Sequence, residues 1–411
     1  MRVIVVGAGM VGLSSAWFLQ EEGVDVTVVD RAGVAAGASW GNAGWLSPSL
    51  TVPLPEPSVL RYGLKSLADH RSPLYVPFRV NTRLWRFLLG FATYCTARRW
   101  HRGMTAYRPL NEQALAAFDA LEAGGVDARS TTASIFASFA SERDAEGILD
   151  ELRLVASTGQ EVEMELLTGD QARARQPLLS EKIVVAVDVR SQRFINPGAY
   201  VNALADAVRA RGGEIRDGVT VTGVRRDGAG VLVETEADAG GPLRADAVIL
   251  ATGAWLPKLA APHGVRMLVQ AGRGYSFSVE TEVPPQTPLY FPGARVACTP
   301  LDGRLRVAGM MEFRGPDDPL DRRRLEVIEA ATRPLLRGVD WSTRRDEWVG
   351  PRPVTPDGLP LIGATATQGV YVAGGHGMWG ITLGPLTGRL LAQQVAAGRI
   401  ARELAPFDPL R

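Results

Sequence analysis

The sequence predicts an α/β chain in which a three-layer domain with a parallel sheet is interleaved with a mainly antiparallel, α+β domain. Three observations support this prediction. The first 30 residues alternate strand, glycine turn, helix and strand, which is the pattern of a βαβ unit. Segments of the same style recur later, separated by helical or antiparallel-type segments. The length of 411 residues is enough for two to three domains of about 150 residues each.

The first βαβ unit is followed by a segment of a different kind. A β-branched run predicts a strand over residues 2–6, and apolar side chains at helical spacing predict a helix over 13–22 that Gly23 ends. A second β-branched run predicts a strand over 24–30. Residues 47 to about 77 are rich in proline and lack periodicity, so we expect them to form an extended excursion from the first unit.

The remaining elements follow in both styles. Helices are predicted over 82–99, 109–124, 145–158 and 170–176. The βαβ style returns with a helix at 200–211 and strands at 183–189, 214–216, 219–226, 231–235 and 247–251. Antiparallel-type strands are predicted at 274–279, 289–291, 296–299 and 305–310, before a helix at 321–335, a strand at 369–373 and a helix at 384–397.

These styles divide the chain into two domains, each assembled from separate segments. We assign residues 1–46, 183–260 and 348–411 to the domain with the parallel sheet, and residues 47–182 and 261–347 to the other. No internal repeat or low-complexity tract interrupts this division.

A nucleotide-binding motif lies between the first strand and the first helix. Gly7, Gly9 and Gly12 form a GxGxxG, in which the glycines permit a tight turn, the approach of a pyrophosphate and close helix packing. Asp30 ends the next strand about 20 residues later, where a carboxylate binds the ribose hydroxyls of an unphosphorylated adenosine. We therefore predict a Rossmann-like domain that binds a dinucleotide. Further candidate contacts beside the motif are Met10, Val11 and Arg31.

Three more small-residue loops favour FAD over a nicotinamide cofactor. They occupy residues 37–44, 251–255 and 374–380, and the last two follow predicted strands. A nicotinamide dehydrogenase needs only the first unit, whereas FAD needs backbone contacts along its ADP, ribityl and ring parts. The last predicted helix would point its N-terminal end at the ring and stabilise negative charge there. The candidate contacts are Ala38, Ser39, Asn42, Ala43, Gly44, Val221, Ala251, Gly253, Gly375, His376, Gly377, Met378, Trp379, Gly380, Ile381 and Thr382.

Composition and charge argue against several classes of function. A net charge of +1, from 45 basic and 44 acidic residues, leaves no sustained positive field for binding nucleic acid. The two cysteines, Cys95 and Cys298, form no CxxC, and the four histidines lack metal-binding spacing, so no metal site is predicted. No run of 18 apolar residues occurs and the chain opens on a strand, so we expect a cytoplasmic protein.

Several motifs resemble those of one flavoprotein superfamily. GAGMVG (7–12), GASWGNAGWLSP (37–48), GRGYSFSV (272–279), GPRPVTPDGLPLIG (350–363) and GGHGMWGITLGPLTGRLLA (374–392) are similar, in this order, to motifs of the D-amino-acid oxidase superfamily. The resemblance spans essentially the whole chain and is strongest to the flavin subunits of bacterial D-amino-acid dehydrogenases. One departure is Met378-Trp379, where a smaller and more polar pair is expected; these side chains are candidates for lining the substrate pocket.

Two residues are predicted to face the substrate. Arg352, in Gly-Pro-Arg-Pro, corresponds to an arginine of the resembled family that binds the substrate carboxylate, a task suited to the parallel donors of a guanidinium. Tyr275 would donate a hydrogen bond to the same carboxylate or cover the pocket, and a half-buried strand tyrosine is the alternative. His376 is interpreted as a loop residue near the flavin, because hydride transfer needs only a neutral amine and good alignment.

The resemblance implies an FAD-dependent amino acid dehydrogenase. A small amino acid or imino acid, of D configuration, would lose hydride from Cα to flavin N5, and the imine would hydrolyse to a 2-oxo acid and ammonia. Electrons would pass to a quinone or another carrier, since no lysine stands in the flavin loops to activate oxygen. Two alternatives stay open: an oxygen-using oxidase of glycine, sarcosine, proline-type or other secondary amines, and a flavin-binding protein without turnover.

The helix predicted at 82–99 has two interpretations. Its apolar residues are flanked by Arg83, Arg86, Arg98 and Arg99, a pattern that suits contact with a membrane surface. Packing against the substrate domain is the simpler alternative, since most amphipathic helices face a core. A peripheral position at the inner face of the membrane is therefore one expectation, and the oligomeric state is not predicted.

Overall fold

Two β-sheets organise the protein, whose computed structural model describes residues 1–66, 72–76, 81–237 and 240–411. A six-stranded sheet forms the middle layer of the nucleotide-binding part, and a ten-stranded sheet forms the second part. The chain passes between the sheets several times, as the alternating sequence pattern predicts. Pro77, at the end of the predicted excursion, lies outside the described residues.

The six-stranded sheet is mainly parallel. Numbered along the chain and given in spatial order, its strands are β18 (Leu361–Ala364), β19 (Val370–Gly374), β12 (Ala247–Leu250), β1 (Arg2–Val6), β2 (Asp25–Asp30) and β8 (Glu214–Asp217). All neighbours pair in parallel except β18 and β19. The central strands β1 and β12 are buried almost throughout, because other layers cover both faces of the sheet.

Helices cover one face of this sheet, and a second small sheet covers the other. The helices are α1 (Met10–Glu21), α4 (Ala97–Ala123), α7 (Pro197–Ala210) and α10 (Gly380–Ala397). The opposite face carries α8 (Leu256–Ala260) and the antiparallel strands β9 (Val221–Asp227), β10 (Gly230–Thr235) and β11 (Leu243–Ala245). Alternate residues of β1 point into the two cores: Val3 and Val5 towards the helices, Ile4 and Val6 towards the small sheet. The predicted three-layer architecture is therefore confirmed.

The ten-stranded sheet is mainly antiparallel. In spatial order its main path contains β17 (Val339–Val354), β13 (Gln270–Thr281), β16 (Arg304–Phe313), β15 (Val296–Leu301), β14 (Leu289–Phe291), β5 (Thr131–Phe139), β7 (Val185–Phe194) and β3 (Trp45–Leu46). Two short strands complete it: β4 (Leu74–Tyr75) on β16 and β6 (Met164–Thr168) on β7. The associated helices are α2 (Pro57–Ser66), α3 (Thr82–Tyr94), α5 (Glu142–Ser157), α6 (Gly169–Arg175) and α9 (Arg322–Thr332).

Two predicted helix boundaries were wrong. The helix expected over 82–99 ends at Tyr94, and a new one begins after Thr96, whose side chain accepts a hydrogen bond from the Arg99 amide as an N-cap. The second helix then runs through Pro109, which we had placed at a helix start. Proline weakens a helix interior, but Tyr107 and Leu110 on either side of it are fully buried, so packing retains the helix.

The domain boundaries also differ in places from the predicted ones. The strand at 183–189, assigned to the parallel-sheet domain, is the first part of β7 and pairs with β5 in the ten-stranded sheet. Residues 348–354 belong to β17 of the same sheet. Conversely, α4 comes from the segment assigned to the other domain, yet it packs in the core beside α1 and α10. Sequence style could not reveal these placements, because strand pairing and helix docking are tertiary contacts.

Helix α3 packs against the ten-stranded sheet. Its Leu84, Phe87 and Phe91 are buried in a cluster that includes Phe313 and Val354, which supports the simpler of the two interpretations. On the outer side Leu89 is 68% exposed. Within the described ranges, no helix combines the length and apolar character needed to cross a membrane.

The helical layer depends on a close approach between α1 and α10. A Cβ added at Gly388 would lie 2.6 Å from the carbonyl carbon of Ser14, so the two backbones touch with no side chain between them. A Cβ at Gly384 would lie 2.8 Å from Met10 Cγ. These contacts fix the start of α10 beside the start of α1, where the cavity described below is found.

Replacing Gly388 by alanine should therefore destabilise the protein. We expect Gly388→Ala to lower the free energy of unfolding by about 1–3 kcal/mol, because the helices must separate to admit the methyl group. Gly147→Ala is the matched control, since Gly147 lies in α5 with no atom near an added Cβ. The control should stabilise by about 0.5–1 kcal/mol through helix propensity. Urea unfolding of the apoprotein measures both, and equal effects would contradict the close packing.

Candidate functional site

A cavity of about 350 Å³ opens where the carboxyl ends of β1, β2 and β12 face the ten-stranded sheet. Its position follows from topology, because the loops that leave the carboxyl ends of parallel strands surround a common crevice. The end of β17 closes the cavity from the other side. The predicted site residues that line it are Gly7, Gly9, Met10, Val11, Asp30, Arg31, Ala38, Ser39, Asn42, Val221, Ala251, Gly253, Arg352, His376, Gly377, Met378, Gly380 and Ile381.

Glycine backbones form the floor of the cavity at the start of α1. Gly7 has a φ of +117°, and a Cβ added there would lie 2.5 Å from the Ala251 carbonyl oxygen. A Cβ on Gly12 would lie 1.9 Å from the Gly7 carbonyl oxygen, so Gly12 packs the helix onto the turn without lining the cavity. The first amide groups of α1 are thereby brought to the cavity, where they favour an anionic group such as a pyrophosphate.

The Asp30 carboxylate stands at the end of β2 and is oriented by backbone amides. Oδ2 accepts a hydrogen bond from the Ala8 amide at 2.8 Å. Oδ1 accepts from the amides of Ala32 at 2.8 Å and Gly33 at 3.0 Å. Each carboxylate oxygen has two lone pairs, so Oδ1 is fully occupied and Oδ2 keeps capacity for one ribose hydroxyl.

The residues of the cavity lining that were not predicted include Trp255, Lys258 and Asp317. The Arg31 guanidinium lies 4.0 Å from the centroid of the Trp255 ring and pairs with Asp317 at 2.8 Å. Trp255 Nε1 also donates to Asp317, at 3.0 Å. Asp317 comes from the segment between β16 and α9, and no sequence motif connects that segment with residue 31.

The loop between β19 and α10 forms the opposite wall. Gly375 and Gly377 have φ values of +73° and +55°, and α10 begins at Gly380, four residues before the predicted start. The His376 ring is buried, and its Nε2 lies 2.9 Å from Thr387 Oγ1. Burial lowers the pKa of His376 to about 4, so the ring is neutral near pH 7 and is a weak base.

Some predicted contacts belong to the framework of the site instead of its lining. Trp379 Nε1 donates to the Val52 carbonyl at 2.8 Å, and Thr382 Oγ1 donates to the Trp45 carbonyl at 3.0 Å. Neither side chain lines the cavity, so Trp379 does not occupy the lining position expected for it there, whereas Met378 does. The predicted residues that do not line the cavity are Gly12, Ala43, Gly44, Tyr275, Gly375, Trp379 and Thr382.

Arg352 faces the cavity as an enclosed guanidinium. Nη1 donates to the Met310 carbonyl at 2.7 Å, and no carboxylate of the described residues forms an ion pair with it. Burial lowers the pKa of Arg352 to about 10, because no neighbouring negative charge offsets the loss of solvent. The guanidinium lies against Gly274, where an added Cβ would be 2.2 Å from Nη2.

A β-bulge orients the Met310 carbonyl towards Arg352. The pairing of β13 with β16 shifts register between Arg273 and Tyr275, and Met310 has a φ of +68°. A left-handed conformation is costly for methionine, so the surrounding sheet must enforce it. Sequence reasoning missed Met310, because no residue type in the Gly-Met-Met run signals a bulge.

Tyr275 does not reach the cavity. Side chains alternate along a strand, so Tyr275 points to the face opposite the Gly274 position that Arg352 covers. Its ring is fully buried in the core between the ten-stranded sheet and α9, which includes Phe277 and Ile328, and its hydroxyl donates to Glu312 Oε2 at 2.5 Å. Burial and this carboxylate raise the pKa of Tyr275. The predicted role of Tyr275 beside the substrate was therefore wrong, and the alternative of a buried strand tyrosine fits.

Comparison with known families gives one match over most of the chain. The family model described as DAO, FAD dependent oxidoreductase, matches residues 2–394. A D-amino acid dehydrogenase of Xylella fastidiosa (strain M23) is 31% identical over 404 residues, which cover 96% of this chain and 92% of that protein. The corresponding protein of strain 9a5c is also 31% identical over 404 residues.

Solved structures with the same fold include two enzymes. Glycine oxidase from Geobacillus kaustophilus has a TM-score of 0.78 at 24% identity, covering 100% of this chain and 99% of its own. L-proline dehydrogenase from P. horikoshii has a TM-score of 0.70 at 17% identity, covering 100% and 97%. At these identities the likeness concerns the fold.

The residues present fit FAD. A Cβ at Gly7 or Gly12 would collide with backbone, and Gly7 and Gly9 line the cavity, so this turn offers the bare backbone that a pyrophosphate needs. Asp30 is positioned for the adenosine ribose, and the helix start at Gly380 stands at the far wall. FAD is therefore the cofactor. The contacts of individual residues with FAD remain predictions.

Asp30→Ala should weaken FAD binding by about 10–100-fold, because hydrogen bonds to a charged group contribute about 1.5–3 kcal/mol each. Asp25→Ala is the control, since Asp25 is exposed at the other end of β2. Quenching of FAD fluorescence on titration with apoprotein gives both dissociation constants. Equal constants for the two variants would remove Asp30 from the binding site.

Proposed function

Because this chain belongs to the DAO family of FAD-dependent oxidoreductases, we propose that it dehydrogenates a small amino acid, of the D configuration, at its Cα–N bond. The observation that supports this most directly is Arg352, an enclosed guanidinium that faces the cavity without a carboxylate partner. The D configuration follows the relatives that are D-amino acid dehydrogenases at 31% identity.

Arg352 is suited to hold the substrate carboxylate. Removing a guanidinium from water costs several kcal/mol, and the hydrogen bond to the Met310 carbonyl offsets only part of that cost. A carboxylate ligand would supply two parallel charge-assisted hydrogen bonds and fix both the position and the orientation of the substrate. The left-handed backbone at Met310 and the missing side chain at Gly274 keep the guanidinium in one place. Such fixed alignment can lower a reaction barrier by about 7–11 kcal/mol.

When bound, FAD accepts a hydride equivalent from the Cα–H bond of the amino acid. The substrate nitrogen must be neutral at that moment, so that its electron pair forms the C=N bond of the imine. The low pKa of His376 makes its ring a weak base, and its Nε2 is hydrogen-bonded to Thr387, so we assign it to the framework and not to proton removal. Water then hydrolyses the imine to a 2-oxo acid and ammonia, whereas a cyclic substrate would give a cyclic imine.

A quinone or another carrier is proposed as the electron acceptor. Lys258 is the one lysine that lines the cavity in the described part of the chain, and it stands beside Trp255 at the Asp30 end. The loops at 37–44 and 374–380 contain no lysine. The part of the cavity near Arg352 therefore lacks an ammonium group to stabilise reduced oxygen species, which favours a dehydrogenase over an oxygen-using oxidase.

Anaerobic reduction tests the proposed function. The FAD-loaded protein is mixed without oxygen with a panel of D- and L-amino acids, glycine, sarcosine and proline, and its absorbance near 450 nm is followed. We expect the small D-amino acids to bleach the band, and steady-state turnover to be faster with a quinone or dye than with oxygen. Bleaching by glycine or sarcosine with fast oxygen turnover would favour the oxidase. Bleaching by no member of the panel would overturn the proposal.

Variants at two positions test the carboxylate anchor. Arg352→Met should lower kcat/KM by about 30–1000-fold, because a buried charge pair loses one partner at a cost of about 2–4 kcal/mol. Gly274→Ala should act in the same direction, because its methyl group would displace the guanidinium. The FAD content of both variants should stay at the wild-type level.

The matched control for these variants is a substrate analogue. An amine analogue that lacks the carboxylate should react slowly and almost equally with wild-type and Arg352→Met protein. A similar loss for the amino acid and for the analogue would show that residue 352 does not contact the carboxylate.

A further inference from the structure

The loop of residues 40–43 connects the cavity with the ten-stranded sheet through its carbonyl groups. Side chains of three neighbouring strands, β13, β15 and β16, donate to all four carbonyls of this loop. Loop carbonyls usually face solvent or other backbone groups, so this set of side-chain donors is a specific arrangement.

Arg306 provides two of the four hydrogen bonds. Its Nη1 donates to the carbonyls of Trp40 at 2.8 Å and Asn42 at 3.4 Å. Ser276 Oγ donates to the Gly41 carbonyl at 2.8 Å. The guanidinium also lies 5.0 Å from the centroid of the Trp40 ring, which adds a cation–π contact.

The last carbonyl and the side of the loop are held by two further residues. Thr299 Oγ1 donates to the Ala43 carbonyl at 2.7 Å. The indole of Trp348 lies against Gly41, where an added Cβ would be 2.1 Å from Trp348 Cδ2. The loop is therefore fixed by its oxygen atoms on one side and by a flat aromatic surface on another.

With the carbonyls occupied, two amide groups of the loop remain available. The amides of Trp40 and Asn42 donate to the carbonyls of Ala35 and Ser39. Among the described residues, the amides of Gly41 and Ala43 have no hydrogen-bond acceptor. Neither Gly41 nor Ala43 lines the cavity, whereas Asn42 between them does. The bonded carbonyls of Trp40 and Asn42 therefore fix the part of the loop that reaches the cavity.

Arg306 differs in its pairing from a neighbour of the same type. Its side chain is buried, with 7% of the residue exposed, and its hydrogen bonds go to carbonyls, while Asp302 and Asp346 act only at longer range. Arg304, two residues earlier on β16 and 6% exposed, pairs with the carboxylate of Glu280. Burying an arginine with only carbonyl partners costs free energy of folding. The cost indicates that the fixed geometry of the loop has a function.

We propose that Arg306 is a positioning residue for FAD, which holds the carbonyls of Trp40 and Asn42 and thereby keeps Asn42 in place at the wall of the cavity. The inference deepens the role of the cavity as an FAD site and rests on that part of the proposed function, not on the identity of the substrate. Arg306 itself does not line the cavity, so it acts through the loop.

Comparison of Arg306→Met with Arg304→Met tests the clamp, because the two side chains share strand, face and burial. We expect Arg306→Met to raise the dissociation constant of FAD by about tenfold or more. The reason is that two carbonyls lose their hydrogen-bond donor and the loop loses its fixed geometry. Hydrogen–deuterium exchange of the apoprotein should increase within residues 38–45 and stay unchanged elsewhere. Arg304→Met should leave both the FAD affinity and this exchange near wild-type values.

Two milder variants keep the test decisive if Arg306→Met does not fold. Arg306→Lys retains the charge but cannot bridge two carbonyls as well, and Ser276→Ala removes the donor to Gly41. Each should raise the FAD dissociation constant by about two- to tenfold. An affinity within twofold of wild type for all Arg306 variants, or an equal loss in Arg304→Met, would overturn the proposal. FAD affinity is measured without substrate, so these outcomes are independent of the amino acid panel.

Discussion

Close approach of backbones is the constraint on which the cavity depends. The turn at Gly7 touches the end of β12, α1 touches that turn at Gly12, and α10 touches α1 at Gly388. Each of these contacts leaves no room for a side chain. The helix starts and strand ends that surround the cavity are therefore held at backbone contact distance, and their amide groups face one crevice.

The ten-stranded sheet contributes charge and rigidity to this crevice. Two of its arginines, Arg306 and Arg352, are bonded to main-chain carbonyls and not to carboxylates. Because a bonded carbonyl does not neutralise a cation, positive charge is retained at this wall. Such a field suits a negatively charged substrate and a cofactor that gains electrons, which agrees with an FAD-dependent oxidoreductase.

Interleaving of the chain explains how two sheets can share one site. At one crossing, the loop 40–43 leads from the nucleotide-binding part into β3 of the ten-stranded sheet. At another, Arg352 lies near the end of β17, and the chain then returns to the six-stranded sheet through β18. Both of these crossings carry residues of the cavity, Asn42 in the first and Arg352 in the second. Relative movement of the two parts is therefore limited by covalent connections as well as by packing.

The sequence by itself determined the three-layer nucleotide-binding architecture, the glycine turn with Asp30, the loops around the cavity and the arginine that faces it. These features depend on local rules: glycine where a side chain cannot fit, β-branched runs for strands, and motif order along the chain. The tertiary structure alone decided which loop residues turn inward, and it placed Tyr275 in the opposite core and Trp379 on Val52. It also brought Asp317 to Arg31, bent the backbone at Met310 and placed Arg306 beneath the loop. The physical reason is that these contacts join residues far apart in sequence, so strand register and sheet packing, not residue type, determine them.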